Sequence, residues 1–500
     1  MINRKSAAPV QIQRQELFDV AEKYRRIQDA ISGEEAIKKR GATYLPIPSS
    51  CEKHSELDAG YIAYQTRAIY YNVCKPTRDA LVGQLFTPPP VVELPTGLEF
   101  LIEDANGEGL NLEQLTKQAA NHVLPFGRGG FLTDFPVTDG NVTRGDIESG
   151  RFRPIIRFFE PWAIRNWRTE KIGTVHKLVM LVLDEQVEVA KTDNEFDIEL
   201  ELRQRVYRLT DGCVSVEVYG PEGKPIEGEK YDLCNRDRQP LDSIPFDFVG
   251  SLNNDAEVDE PPFINMANLN IAHFRNSADY EDSVYLVGQP TPVYAGLTVD
   301  WVENYFQGGK VAFGSRTSIP LPENATAMLL QAEANSLAFE AMTHKEDQMR
   351  SVGGKILDPD QKIEKREIEI KEEAANQKSV LATVKDNLQL ALFAAVQRAG
   401  ALIGIDVIEG EHKIELNEDF DLASLDSNET TTIMEAYDKR LVAFAEVRNH
   451  FKRAGVAMLA DEEAQAAIKE DFAFVESVTA KPEPTVGNGN TQNPDQGSNN

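Results

Sequence analysis

The side chains that could do chemistry in this chain are scattered. His54, His122, His176, His273, His344, His412 and His450 stand singly, with no H-E-x-x-H pattern, so a metal site would have to be assembled wholly by the fold. Cys51, Cys74, Cys213 and Cys234 include no C-x-x-C pair, which points away from a zinc site or a dense disulfide framework and towards folding in a reducing compartment. The segment PFGRGGF, from Pro125 to Phe131, has the glycine content of a phosphate-cradling loop but lacks the G-K-[ST] ending, and GGKV and GGKI fail for the same reason. An acidic cluster of Glu364, Glu367, Glu369, Glu372 and Glu373 could hold a divalent cation or serve hydrolysis. Its setting argues otherwise: Glu367 precedes Lys371 by one helical turn, and Lys362, Lys365 and Arg366 are interleaved, so the charges offset one another on a wet helix face. These residues supply no catalytic set, and no cofactor or metal is expected.

The elements that would position any site read as mixed. A polar helical segment runs to about Arg40, with Leu17, Val20, Tyr24 and Ile27 on one face and Gly41 as its stop. A second helical region places Tyr61, Tyr64, Ala68 and Tyr71 along a face, is interrupted by Pro76 and ends at Pro88 to Pro90. From Phe152 to Val249 the period changes to that of strands. Asp211 and Gly212 form a hairpin turn, after which Val214, Val216 and Val218 alternate with Ser215, Glu217 and Tyr219. GSLNNDAEVDEPPF then reads as an acidic linker before a helix containing Leu269, Ile271, Phe274 and Tyr280. Residues 287–330 are rich in Gly and Pro and read as a strand-containing insertion between two helices.

The last long helical run breaks at Gly353 and Gly354, which interrupt a helix at low steric cost and let two rods meet at an angle. It resumes with Val380, Val384, Leu388, Leu392, Ala395, Ala399 and Leu402 as one apolar stripe, while the half before it carries charge at nearly every position. At about 1.5 Å per residue the resumed rod spans on the order of 60 Å. A short strand, HKIELN, two further helices and a polar tail over 476–500, too poor in apolar residues to fold, complete the chain.

With 41% hydrophobic residues, 500 residues can bury a large core divided among two to four structural units. The formal charge of -29 disfavours ordinary nucleic-acid binding, which rests on Lys and Arg displacing counterions, yet suits a wall past which a polyanion slides without gripping. No run approaches the roughly 18 uncharged apolar residues of a membrane span, and the N-terminus has no signal-peptide core.

Taken in order, these segments resemble the portal proteins of tailed bacteriophages, and in particular a portal-like family described only as a domain of unknown function. Tyr71, Asn72, Gly83, Leu85, Phe86 and Pro88 match its early pattern. Its most specific block is matched by Pro245, Phe246, Pro261, Pro262, Ala267, Leu269, Asn270, His273, Ser277, Ala278 and Asp279, then Pro290, Pro292 and Gly296. EAMTHKEDQMRSVGGKIL followed by a long helix completes a likeness running from about Tyr44 to Asp471.

The resemblance implies an α+β portal fold with wing, stem, clip and crown. It divides the chain into an N-terminal arm (1–43), a helical then strand-rich wing (44–261), a first stem helix (262–286) and a clip (287–330). A second stem helix (331–352), a tunnel loop (353–361), a long wing and crown helix (362–404) and a C-terminal region (405–475) follow. Gly353, Gly354, Lys355, Ile356 and Asp358 would lie in the tunnel loop. It further implies a dodecameric ring at one capsid vertex, assembled in the host cytoplasm and carried in the virion. Its partners would be other copies of itself, the large terminase, a head–tail adaptor, major capsid and scaffold proteins, and double-stranded DNA passing without sequence preference; no membrane is implied. Packaging energy would come from the terminase, so no enzymatic activity is expected here. Two other readings remain open from the residues: a metal-dependent carboxylate nuclease, motivated by the many acids, and another head or tail structural protein such as an adaptor, which a chain of this size with an inserted subdomain suits less well.

Overall fold

The computed structural model describes residues 8–49, 51, 55–135, 145, 152–191, 194–287, 291–305, 321–330, 336–353 and 367–417, with further positions scattered between 433 and 469. The architecture is α+β, in two compact units, Met1–Glu418 and Asp419–Asn500. Within the second unit, short helical pieces bury Val447 and Ala464, and the rings of Tyr437 and Phe444 meet at 6.4 Å. The 476–500 tail lies outside the described residues.

In the first unit, α1 (Gln15–Ser32) buries Leu17, Tyr24 and Ile27. It stops earlier than expected. Gly33, at φ 97, breaks the rod, and α2 (Glu34–Lys39) starts in a new direction, because the Tyr44 hydroxyl and the Arg40 guanidinium both turn back to Asp29 near the end of α1. α3 (Ala59–Arg67) and α4 (Cys74–Leu85) are joined by a strip without regular structure, Ala68 to Val73. Pro76 does not interrupt a helix: it sits in the first turn of α4, where its missing N–H costs nothing. The expected tyrosine face is correspondingly cut short, and Tyr71 on the strip is 54% exposed.

β1 (Val91–Glu93) pairs with β12 (Lys413–Glu415) near the end of the unit. After α5 (Phe100–Glu103), α6 (Leu112–Phe126) opens on a capping box, Asn111 accepting from the Gln114 N–H while Gln114 accepts from that of Asn111. It closes on Gly127, left-handed at φ 74. A three-stranded antiparallel sheet in the order β3-β2-β9 follows, from β2 (Arg128–Asp134), β3 (Ile155–Phe159) and β9 (Phe246–Gly250). Between β3 and β9 lies a five-stranded meander of β4 (Ile164–Ile172), β5 (Val175–Lys191), β6 (Asn194–Thr210), β7 (Cys213–Tyr219) and β8 (Pro225–Asp232). Asp211 and Gly212, both at positive φ, make the β6–β7 turn, and Val214, Val216 and Val218 are buried. Arg205 of the meander reaches Asp134 of the smaller sheet at 3.1 Å and Glu185 at 3.0 Å, tying the two sheets together.

The acidic stretch after β9 is not a free linker. The Trp167 indole donates to the Ala256 carbonyl at 2.9 Å, and the Arg128 guanidinium donates to the carbonyl of Glu257, drawing the loop onto the sheet. α7 (Ile264–Val287) follows, then β10 (Thr291–Ala295), α8 (Val299–Tyr305) and β11 (Thr326–Leu330), with β10 and β11 forming an antiparallel pair. α9 (Leu337–Gly353) and α10 (Glu367–Ile403) complete the unit. The buried stripe of α10 begins at Leu381; Val380 is 45% exposed. The helix lies on the three-stranded sheet, where Arg398 grips Asp247 at 2.9 and 3.0 Å and the Asn387 amide donates to the Gly250 carbonyl at 2.9 Å.

Candidate functional site

α7 carries most of the residues singled out by the sequence block, and their periodicity explains why. Asn270, His273 and Ser277 are three and four residues apart, so they share one helix face, and all three are almost fully buried. That face meets the strip between α3 and α4, whose backbone groups have no strand to pair with. Asn270 supplies both missing partners: its amide donates to the Tyr71 carbonyl at 2.7 Å and its carbonyl accepts from the Val73 N–H at 3.1 Å. Ser277 Oγ accepts from the Ile69 N–H at 3.0 Å. Two residues on, Asp279 accepts from the Tyr64 hydroxyl at 2.6 Å, and three further Asp282 pairs with Arg67. Asn72 continues the pattern at the strip's end, donating to the Ile31 carbonyl and accepting from the Lys75 N–H.

The neighbouring face of α7 is apolar. Ile271, Phe274 and Ala278 pack into a cluster with Tyr44, Tyr61, Tyr64, Ala68 and Tyr70, so the expected tyrosine face is core as far as Ala68 but not at Tyr71.

α7 and α9 form an antiparallel pair. His273 Nε2 lies 3.3 Å from Glu346 Oε1, and Tyr280 meets Phe339 at 5.9 Å, so seven residues forward along one helix is seven residues back along the other. Burial pushes the His273 imidazole below its usual pKa, partly opposed by the Glu346 carboxylate. The pair is a hydrogen-bonded link between the two helices.

The remaining block residues hold backbone. Pro262 lies against Gly127 just before α7, Leu269 is half-buried, and Pro292 of β10 pairs with Leu329 of β11. Gly296, at φ 78, closes β10. Pro290 lies outside the described residues, as do Gly354, Lys355, Ile356 and Asp358; Gly353 is the last residue of α9.

Other side chains of the hairpin and its insert are exposed among the described residues. Val284 and Tyr285 on α7, Leu337 and Phe339 on α9, and Met328 and Leu329 on β11 are each at least 47% exposed. These large apolar side chains are thus exposed on two helices and on the insert between them.

PFGRGGF has an architectural role. Arg128 is 1% exposed and its guanidinium lies 4.4 Å from the ring centroids of both Trp167 and Phe248. Burial pushes its pKa down to about 10, with Tyr24, Asp259 and Asp255 opposing, so it stays charged at neutral pH. Gly129 and Gly130 admit the Phe158 and Phe246 rings onto the strand, where a Cβ would collide with them.

A groove of about 680 Å³ between α4 and α6 is lined by Lys75, Arg78, Asp79, Lys117 and His122 among others. Lys75 and Arg78 both donate to Asp79, at 2.7 and 2.5 Å, and Lys117 lies over the Phe86 ring. His122, packed among Phe126, Phe158 and Trp162, has its pKa pushed down to about 4 by burial and by the Arg78 charge. No signal in the sequence brought these residues together, because α4 and α6 meet only in the fold.

Among the described residues no three His, Cys, Asp or Glu converge as a metal site, no helix is long and apolar enough to cross a membrane, and all four cysteines are free thiols. The side chains of Glu364, Glu367, Glu369, Glu372 and Glu373 lie outside the described residues.

No curated protein matches the chain. Among solved structures it is similar to one titled "Neck of empty GTA particle computed with C6 symmetry", at 12% identity and a TM-score of 0.40, over 78% of this chain and 90% of that one. It is likewise similar to "Neck of native GTA particle computed with C12 symmetry", at 12% identity and a TM-score of 0.38, over 75% and 88%. Similarity this distant bears no weight in assigning function. Residues 262–401, from the start of α7 to near the end of α10, match the family described as "Domain of unknown function (DUF4055)".

Proposed function

We propose that the chain is the subunit of a tailed-bacteriophage portal, a ring at one capsid vertex through which the genome enters during packaging and leaves during infection. In this reading the ring is a dodecamer. The α7–α9 pair is the stem, and the β10–α8–β11 insert is the clip on which a terminase and a head–tail adaptor dock. The tunnel loop of this reading, residues 353–361, lies outside the described residues apart from Gly353.

The carrying observation is the antiparallel helix pair joined through a small strand insert, with Val284, Tyr285, Phe339, Met328 and Leu329 largely solvent-exposed in a single copy. Side chains of this kind are normally covered by a partner, and a head-to-tail contact repeated around an axis covers them in every copy. The sequence likeness from Tyr44 to Asp471 supports the same reading. The net charge of -29 suits a wall that lets duplex DNA slide.

Negative-stain images of the purified protein should show end-on rotationally symmetric annuli with an open centre. Strictly monomeric protein at high concentration would overturn the proposal. The ring hydrolyses nothing in this reading, so ATP turnover that depends on residues of this chain would also count against it.

A further inference from the structure

β5 and β6 are far longer than their neighbours in the meander. β4 pairs with β5 only as far as Leu183, and β7 pairs with β6 only from Gln204. From Glu185 out to Lys191, and back from Asn194 to Arg203, the two strands pair with each other, and no further described strand joins them. At about 3.3 Å per residue this ribbon runs roughly 20 Å beyond the sheet. An isolated two-stranded ribbon is at best marginally stable in water.

Its two faces differ. Pairing sets Leu202 opposite Gln186, Leu200 opposite Glu188 and Ile198 opposite Ala190 on one face. On that face Ile198 is 55%, Leu200 61% and Leu202 36% exposed, a contiguous apolar stripe along one strand. Val187, Val189, Glu199 and Glu201 alternate onto the other face, where Glu201 pairs with Arg203 at 3.2 Å.

We infer that this ribbon is an arm whose Ile198, Leu200 and Leu202 face packs on a second copy of the chain. The stripe offers on the order of 300 Å² of apolar surface, less than half of the roughly 800 Å² per partner that a stable interface buries. It cannot hold a separate partner by itself. It must extend an interface whose larger part lies elsewhere, and the exposed side chains of the α7–α9 hairpin supply such a part on this same chain. In a head-to-tail ring each copy presents both surfaces to its neighbours at once. The inference therefore rests on the ring reading.

The test compares the full-length protein with an Ile198→Ser/Leu200→Ser double variant by mass photometry across a concentration series. Both side chains are exposed in the single copy, so the variant should keep its far-UV circular dichroism. Its assembly midpoint should rise by tenfold or more. Independently, a Leu200→p-benzoylphenylalanine variant irradiated after assembly should give chain-to-chain adducts. An unchanged midpoint, or assembled protein that yields no adduct, overturns the arm while leaving the ring intact. Wild-type protein that never assembles overturns the ring reading, and the arm falls with it.

Discussion

Asn270 replaces, with one side chain, two backbone partners that a β-strand would have provided for the strip between α3 and α4. Asn270→Ala leaves the Tyr71 carbonyl and the Val73 N–H without those bonds in a buried setting, so it should destabilise the first unit by roughly 2 kcal/mol or more. Urea denaturation with α7 intact by circular dichroism checks this. His122 gives a pH signature. In the folded protein its pKa lies at about 4, against an ordinary 6.5 when unfolded, so the unfolded chain takes up the proton first as pH falls. Stability is full above about pH 6.5 and declines towards pH 4, by at most about 3 kcal/mol. Glu160, 3.2 Å away, has its pKa raised by burial and protonates earlier in the folded state, which offsets part of the loss. His122→Gln should flatten the dependence of the urea midpoint between pH 7 and pH 4.5, and an unchanged slope would show that other groups set it.

At the scale of elements, β2 is the piece most constrained from both sides. Its flanking strands β3 and β9 place Phe158 and Phe246 over Gly129 and Gly130, while α10 seals the sheet, with Thr133 donating to the Ala395 carbonyl at 3.1 Å. Gly130→Ala should cost about 1–3 kcal/mol or more by overpacking, with a lowered thermal midpoint as the readout. The strand character of the segment was hidden in the sequence, because RGG has neither β-branched residues nor alternation and its aromatic cover comes from distant strands. The β6–β7 hairpin, by contrast, was legible to the residue: the two-residue Asp211–Gly212 turn and the alternating valines are local signals. Pro76 misled for an equally physical reason, since a proline marks a break inside a helix and a start at its first turn, and only the neighbouring strip decides which.

For the whole molecule, charge sets the terms of the proposed assembly. Bringing many copies of net charge -29 into one ring raises mutual repulsion, which added salt screens over a Debye length of about 10 Å at 0.1 M. Assembly should therefore strengthen as ionic strength rises from about 0.02 to about 0.2 M, whereas a complex held mainly by ion pairs would weaken. Sedimentation velocity at the two salts decides between them. Apolar cover as the driving force draws on the exposed side chains of the α7–α9 hairpin and of the β5–β6 ribbon, which are among several large apolar side chains exposed in the single copy.

The sequence by itself determined what depends on neighbouring residues: the helical period of α1, α7 and α10, the hairpin turn, the want of a nucleophile, base or metal motif, and the acidic balance. Tertiary structure decided what depends on partners distant in the chain. It made Asn270 and Ser277 a scaffold for a strip some two hundred residues earlier, and His273 a link to α9. It turned PFGRGGF into a buried arginine clamp and a ring-covered strand, and it drew Lys75, Arg78 and Lys117 into one groove. A side chain's type and local spacing are written in sequence, but whether a polar group meets water, backbone or another side chain is settled only when the elements pack.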